Sequence, residues 1–130
     1  MTPDSVVLET FLAETEERLD DLESGILSLT DLGPDPELVH AIFRDAHSVK
    51  AGANLLGYRN IETLSHRLEN ILDMIRTGRM TPDVESTDAL LGAVDRIRDL
   101  LENLESSNDM DIARCLADLA RVAPGNGNQP

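Results

Sequence analysis

The sequence predicts an all-α protein, an up-down four-helix bundle with a fifth helix at its C-terminal end. Apolar residues recur three and four positions apart along nearly the whole chain, which is the period of an amphipathic helix. Hydrophobic residues make up 41% of the 130 residues, yet aromatic residues make up only 2%, with no tryptophan. A core of small aliphatic side chains suits helix-on-helix packing. Four long periodic segments joined by short turns favour antiparallel neighbours, as in an up-down bundle.

The first two predicted helices are separated by a turn rich in proline and glycine. Helix 1 is expected from about Asp4 to Leu29, and Gly33-Pro34-Asp35-Pro36 ends it and starts the next helix. Asp35 can accept hydrogen bonds from free N–H groups, and Pro36 suits the first helical position, where no donor is needed. Helix 2 is expected over about 36–55.

Three further helices follow at similar turn signals. Gly57 and Asn60 mark a short turn, with Asn60 as a plausible N-cap, and helix 3 then runs to about Thr77. Gly78 occupies the usual left-handed position after a helix. Thr81-Pro82-Asp83 repeats the start signal for helix 4, which is expected to end near residue 104.

The end of the chain combines a short last helix with a polar tail. Ser106-Ser107-Asn108-Asp109 predicts a break, and a fifth helix follows over about 112–122. The tail 124–130 has no large apolar residue and is typical of the start of a flexible linker. We therefore expect one domain over 1–123, with further protein following the linker.

The charge of the chain excludes several classes of partner. Acidic residues number 25 against 11 basic ones, for a net charge of −14, so nucleic acid and anionic membranes are poor partners. No apolar run is long enough to cross a bilayer, and no signal peptide is evident. The single Cys115 reads as a small buried hydrophobe in a reducing compartment. These features predict a cytoplasmic protein.

His47 on helix 2 is the clearest candidate for chemistry. Arg44, His47, Lys50 and Ala51 are three or four positions apart and share one helix face near the surface. Lys50 is the only lysine in the chain. One turn from a histidine, it creates a local spot that tolerates added negative charge.

Helix 3 adds a carboxylate at the level of His47. If helices 2 and 3 form an antiparallel hairpin turning near Gly57, His47 lies opposite the chain near position 67, which His66 and Glu69 bracket. A carboxylate there can accept the Nδ1–H bond of the imidazole and leave Nε2 as a free lone pair. A nucleophilic histidine needs that arrangement.

Simpler interpretations stay open for each of these residues. An exposed helical histidine is usually only solvated, and His66 and Glu69 could be ordinary surface side chains. His40 lies two turns before His47 and far from the lysine, so we interpret it as structural or idle. Gly52 inside a helix costs about 1 kcal/mol relative to alanine. Close approach of a partner surface or tight packing of a neighbouring helix would explain it equally well.

Two stretches make the sequence similar to a known family. Ala46-His47-Ser48-Val49-Lys50-Ala51-Gly52-Ala53, followed by Leu56-Gly57-Tyr58, resembles the phosphoacceptor motif of histidine phosphotransfer domains. It is most like the N-terminal domain of CheA-type chemotaxis kinases. The stretches 64–73 and 76–80 are similar to the third helix of that family. The resemblance covers roughly residues 5–122.

The resemblance implies a phosphoacceptor at His47, phosphorylated on Nε2. Glu69 would bind the Nδ1 side of the ring, and Lys50 and His66 would complete the polar network. The family fold is a five-helix domain around a four-helix bundle, in agreement with the helix count above.

A receiver is then expected to dock over the small-residue face formed by Arg44, Ser48, Ala51 and Gly52. The family often has glycine where this chain has Ala51, and the added methyl bears on how closely a receiver fits.

The expected partners are a kinase ATP-binding domain and a CheY-like response regulator. No Gly-rich phosphate loop is present in the sequence, so the domain needs no cofactor of its own, and the partners would supply ATP and Mg²⁺. It would be a substrate and carrier, part of a histidine kinase without being an enzyme alone.

Two other classes of function remain as alternatives. A ferritin-like metal bundle needs paired Glu-x-x-His motifs, whereas this chain has one reversed pair, His66 and Glu69, so no metal ligands are predicted. A pure docking module would bind a partner helix or domain without chemistry, and would keep its activity after His47→Gln.

Overall fold

The structure, a computed structural model, describes residues 4–124 and confirms the all-α prediction. Its elements are, in order, α1 (Ser5–Leu32), α2 (Pro36–Leu56), α3 (Arg59–Arg76), α4 (Val84–Glu102), a 3-10 helix (Leu104–Asp109) and α5 (Ala113–Val122). Helices α1 to α4 close a ring of contacts in which α2 touches α1 and α3, and α4 touches α3 and α1. Helix α5 packs on α3 and α4 at the side of the bundle. The predicted linker lies, after Pro124, outside the described residues.

Side-chain caps fix where α2 and α4 begin. The Asp35 carboxylate accepts the Leu38 N–H at 3.1 Å, with Pro36 at the first helical position as predicted. At α4 the cap is Asp83, which forms a capping box with Ser86. Helix α4 therefore begins two residues later than a cap at Thr81 would place it, because Asp83 accepts the N–H of Ser86 at 2.8 Å.

The expected capping role of Asn60 is wrong. Tyr58 precedes the first residue of α3, and no side chain caps this helix. Asn60 lies inside the first turn and donates its amide N–H groups to the carbonyls of Ser107 and Met110, at 2.7 and 2.9 Å. Its polar side chain therefore binds the distant segment before α5 rather than its own helix end.

The predicted break at 106–109 is a 3-10 helix attached to the α2–α3 turn. Asn108 accepts the backbone N–H of Arg59 at 2.7 Å and donates to the Gly57 carbonyl at 2.9 Å. Gly57 has a left-handed φ of 82°, which favours glycine. These contacts hold the turn at one end of the bundle and so fix the register between α2 and α3.

The core is aliphatic, as the composition predicts. Its largest fully buried side chains come from α1 to α5: Leu19, Leu22, Ile26, Ile42, Ile61, Leu64, Leu68, Leu72, Leu90, Ile97, Leu100 and Leu119. Cys115 is half-buried rather than buried, and burial, followed by the nearby Asp118, raises the pKa of its thiol. Among the described residues, no helix combines the length and apolar character that crossing a bilayer requires.

Candidate functional site

His47 lies on α2 between two buried residues but itself faces solvent. Ala46 and Val49 are buried in the core, whereas 58% of the His47 side chain is exposed. The helical period produces this outcome, because residues 42, 46, 49 and 53 share the inward face of α2. The ring is therefore fixed at its base and accessible at its tip.

Glu69 on α3 connects His47 to Lys50. One carboxylate oxygen lies 2.5 Å from Nδ1 of His47, and the other accepts a hydrogen bond from Nζ of Lys50 at 2.7 Å. The Glu69 side chain is only 10% exposed. The antiparallel hairpin expected from the sequence thus brings His47 on α2 and Glu69 on α3 together. Helices α2 and α3 share the most extensive helix–helix contact.

The two hydrogen bonds keep Glu69 ionised. Burial alone raises the pKa of its carboxyl, but the bonds from Lys50 and His47 outweigh burial, and the pKa lies below its ordinary value of 4.5. A carboxylate is acceptor-only, so in the neutral form of the imidazole the shared proton belongs to Nδ1. Nε2, on the far side of the ring, then carries the free lone pair.

Lys50 belongs to this network through Glu69 rather than through the histidine. Its side chain is 25% exposed, and its ammonium group forms an ion pair with the Glu69 carboxylate. It therefore neutralises the one buried carboxylate of the site. The arrangement holds the exposed imidazole in one orientation at the protein surface.

His66 does not join the network as the resemblance implied. It is exposed and, among the described residues, makes no hydrogen bond to His47, Lys50 or Glu69. It lines a different groove, between α3 and α5, beside Arg67 and Leu119. Three positions before Glu69, its side chain lies nearer to α5 than to α2.

Only part of the expected docking face is exposed in the structure. Arg44, Ser48 and Ala51 are exposed around His47, and the Ala51 methyl points to solvent. Gly52 is half-buried, and a Cβ added there would meet the Phe11 ring at 3.3 Å. Tight packing against α1 therefore explains this glycine without a partner.

The side of α2 that faces α1 carries two features that the sequence analysis missed. Asp45 is only 9% exposed and lies 3.6 Å from the Arg18 guanidinium. A Cβ added to Gly25 would lie 2.2 Å from Cγ2 of Ile42, so the two helices are closely packed there. The sequence contained a signal for each feature. Asp45 follows Ile42 by three positions and so shares its inward helix face. A glycine inside a helix, such as Gly25, is costly and indicates a close contact.

No metal site is evident in this part of the chain. Within residues 4–124, no three His, Cys, Asp or Glu side chains converge in a way that could hold a metal ion. His40 is exposed, at the other end of the same helix face as His47. The candidate site itself contains one exposed imidazole, that of His47, and the Glu69 carboxylate bound to it.

Comparison with known proteins places this geometry in a family. The Hpt domain family model matches residues 6–107. The chemotaxis protein CheA of Rhizobium meliloti is 37% identical over 108 residues, which cover 83% of this chain and 14% of that protein. CheA of Salmonella typhimurium is 35% identical over 105 residues, covering 81% and 16%. The chain therefore spans about a seventh of the length of these relatives.

Solved structures agree with the sequence match. The CheA phosphotransferase domain from Thermotoga maritima is 32% identical with a TM-score of 0.71, covering 76% of this chain and 94% of that one. The phosphorylated P1 domain of CheA3, in complex with CheY6 from R. sphaeroides, is 23% identical with a TM-score of 0.75, covering 94% and 96%, which shows a shared fold. With its helical bundle and its His47–Glu69 pair, the chain belongs to the Hpt, or histidine phosphotransfer, domain family.

Proposed function

We propose that this domain is the phosphoacceptor and phosphocarrier of a CheA-type chemotaxis kinase, with His47 as the residue that carries the phosphoryl group. The observation that carries the proposal is the bond between Nδ1 of His47 and the buried Glu69, on a ring that is 58% exposed. This arrangement aims the free Nε2 lone pair at solvent, where a partner can bring a phosphorus atom.

The first step loads the domain. Nε2 of His47 attacks the γ-phosphorus of ATP held by a separate kinase ATP-binding domain. The N–P bond forms while the bond from phosphorus to the ADP oxygen breaks. Glu69 stabilises the positive charge that develops on the imidazole, since it accepts the Nδ1–H throughout. Mg²⁺ arrives with the partners and offsets phosphate charge.

The second step unloads the domain. An aspartate oxygen of a CheY-like response regulator attacks the phosphorus, the N–P bond breaks, and the electron pair returns to Nε2. Arg44, Ser48 and Ala51 surround His47 on the exposed face that a receiver would cover. The P1 domain that shares this fold was solved in complex with CheY6, which favours a receiver of that class.

The domain on its own acts as a substrate and not as an enzyme. The proposal assigns ATP binding to the kinase domain and the receiving aspartate to the regulator, so the helical bundle needs no cofactor. A reducing, ATP-containing cytoplasm is the compartment we propose, in keeping with the single cysteine and the net charge of −14. Phosphates of nucleic acid would be repelled by that charge.

The test is labelling with a CheA-type catalytic fragment and γ-labelled ATP. We expect acid-labile, base-stable label on the wild type and none on His47→Gln. His40→Gln is the matched control, because His40 is an exposed histidine of the same helix. It should label like the wild type.

Two outcomes would contradict the proposal. Label that persists in His47→Gln would mean that another residue is the acceptor. A wild type that takes no label from several kinase fragments, while circular dichroism shows an intact helical fold, would favour a docking module without chemistry.

A further inference from the structure

A groove beside His47 contains a basic residue that the His47–Glu69–Lys50 network does not use. The groove lies between α2 and α3, on the side of His47 away from the Gly57 turn. Its walls are formed by Phe43, Arg44, His47, Glu69, Asn70, Asp73 and Arg76.

Lys50 is poorly placed to serve this groove. Its Nζ is bound to Glu69 at 2.7 Å, and it follows His47 on α2, whereas the groove is bounded by residues that precede His47. Helical side chains lean toward the N-terminus of their helix, so the His47 ring lies over the turn of Phe43 and Arg44. A group attached to the ring tip therefore comes closer to Arg44 than its position in sequence alone implies.

The groove does not share the net negative charge of the chain as a whole. Asp73 is already paired with Arg76, and with Arg79 at 3.5 Å. Its lining holds two arginines, Arg44 and Arg76, against two carboxylates, Glu69 and Asp73, in a chain of net charge −14. Arg44 also borders the groove between α1 and α2, where its charge helps to lower the pKa of Asp45, but the ion-pair partner of Asp45 is Arg18.

Arg44 has no fixed partner of its own. Among residues 4–124 it makes no hydrogen bond or ion pair, and its side chain is exposed at the groove edge. Every other groove residue with full charge is already engaged in a pair. A flexible guanidinium one helical turn from His47 is thus the one groove cation left to meet an incoming anion.

We propose that Arg44 contacts the phosphoryl group on Nε2 of His47, donating N–H bonds to its oxygens during transfer and afterwards. Guanidinium groups bind phosphoryl oxygens through two parallel N–H bonds, with fixed geometry. Arg44 makes and breaks no covalent bond; its single positive charge offsets part of the negative charge of the phosphoryl group. This inference rests on the proposed phosphorylation of His47.

The test is a ³¹P NMR titration of the phosphorylated domain without kinase or nucleotide. Phosphoramidate serves as donor for every variant: Nε2 attacks phosphorus and the P–N bond to ammonia breaks. The resonance of His47 is assigned by its absence in His47→Gln. A nearby cation favours the dianion, so Arg44→Gln should raise the second pKa of the phosphoryl group by about half a unit.

Arg67→Gln is the matched control. Arg67 is exposed, lies on α3 in the groove shared with α5, and its replacement removes the same charge. Being distant and screened, it should shift the phosphoryl pKa by less than about 0.1 unit.

The outcomes separate this inference from the proposed function. Superimposable titrations of wild type and Arg44→Gln would overturn the role of Arg44 while leaving His47 as acceptor. An unchanged titration, with a raised KM for the kinase fragment, would mean that Arg44 binds the donor and not the phosphoryl group. Absence of any phosphohistidine at His47 would contradict the proposed function itself.

Discussion

A nearly buried carboxylate lies on each side of α2, and the pKa values of the two carboxylates shift in opposite directions. Glu69, which meets the α3 side of α2, is 7% exposed and accepts bonds from His47 and Lys50 at 2.5 and 2.7 Å. Asp45, on the α1 side, is 9% exposed and forms an ion pair with Arg18, at 3.6 Å.

The pKa shifts of the two groups follow from their partners and not from burial. Burial and the like charge of Asp21 raise the pKa of Asp45, and the charges of Arg18 and Arg44 offset them incompletely. For Glu69 burial has the same sign, but the two hydrogen bonds reverse it. A buried carboxylate thus becomes a fixed charge that can orient a nucleophile only when its donors are organised around it.

The largest effect expected from this contrast is on phosphorylation. Glu69→Gln keeps the shape of the side chain but removes its charge, and the amide can donate to Nδ1 and favour the wrong tautomer. We expect phosphorylation by a kinase fragment to slow about a hundredfold, or about 2.7 kcal/mol on the barrier. Asp45→Asn removes the same charge two positions from His47 and should leave the rate within about twofold. Initial rates of label uptake measure both, and equal slowing in the two variants would contradict the distinction.

The close approach of α1 to α2 predicts the next largest effect. Gly25→Ala places a Cβ 2.2 Å from the branched Cγ2 of Ile42, which cannot rotate away freely. We expect the free energy of unfolding to fall by about 2 kcal/mol, measured by urea denaturation.

Gly92→Ala provides the control for that substitution. Gly92 lies in α4 with open space around its missing Cβ, so alanine there should stabilise the fold by about 0.5–1 kcal/mol. Destabilisation of equal size in both variants would indicate that backbone effects, not the α1–α2 contact, dominate at Gly25.

A smaller effect is expected from neutralising Asp45. Because folding raises the pKa of Asp45, its charge opposes folding at neutral pH. Asp45→Asn should therefore leave the unfolding free energy unchanged or raise it by up to about 1 kcal/mol, despite the loss of the Arg18 pair. Glu69→Gln should lower it by about 1 kcal/mol. Thermal unfolding at neutral pH measures the two variants side by side. A Glu69→Gln variant more stable than the wild type would contradict the stabilising role of the Glu69 carboxylate.

Lowering the pH should change the contributions of Glu69 and Asp45 to the free energy of unfolding in opposite directions. The folded pKa of Glu69 lies below its ordinary value of 4.5, so its stabilising contribution is complete above 4.5 and is lost as pH falls through the folded pKa. The folded pKa of Asp45 lies above 3.8, so its unfavourable contribution fades as pH falls through that folded pKa. Urea denaturation across this acid range should show both variants converging on the wild type, from opposite sides.

The sequence predicted the site where helical register alone decides the geometry. The antiparallel hairpin around Gly57 placed His47 and Glu69 at one level, and the structure brings them into contact. The fold class followed equally directly from the apolar period. These features depend on regular spacing, which a sequence displays openly.

Other parts of the site depend on side-chain direction between helices, which spacing does not fix. His66 and Glu69 share a stripe three positions apart, yet only Glu69 reaches His47. Asn60 had the residue type of a cap, but its partners, the carbonyls of Ser107 and Met110, lie nearly fifty residues away in sequence. Contacts of such separation follow from the assembled bundle and not from local pattern.

The tautomer of His47 is the most direct test of the claim that Glu69 prepares its nucleophile. Imidazole ¹⁵N NMR on the unphosphorylated domain, at a pH where the ring is neutral, distinguishes a proton on Nδ1 from one on Nε2. We predict that His47 carries its proton on Nδ1, and that the exposed His40 and His66 show the tautomer mixture of a solvated histidine. A neutral His47 protonated mainly on Nε2 would contradict the role of Glu69, because the lone pair would then face the carboxylate and not the phosphoryl donor.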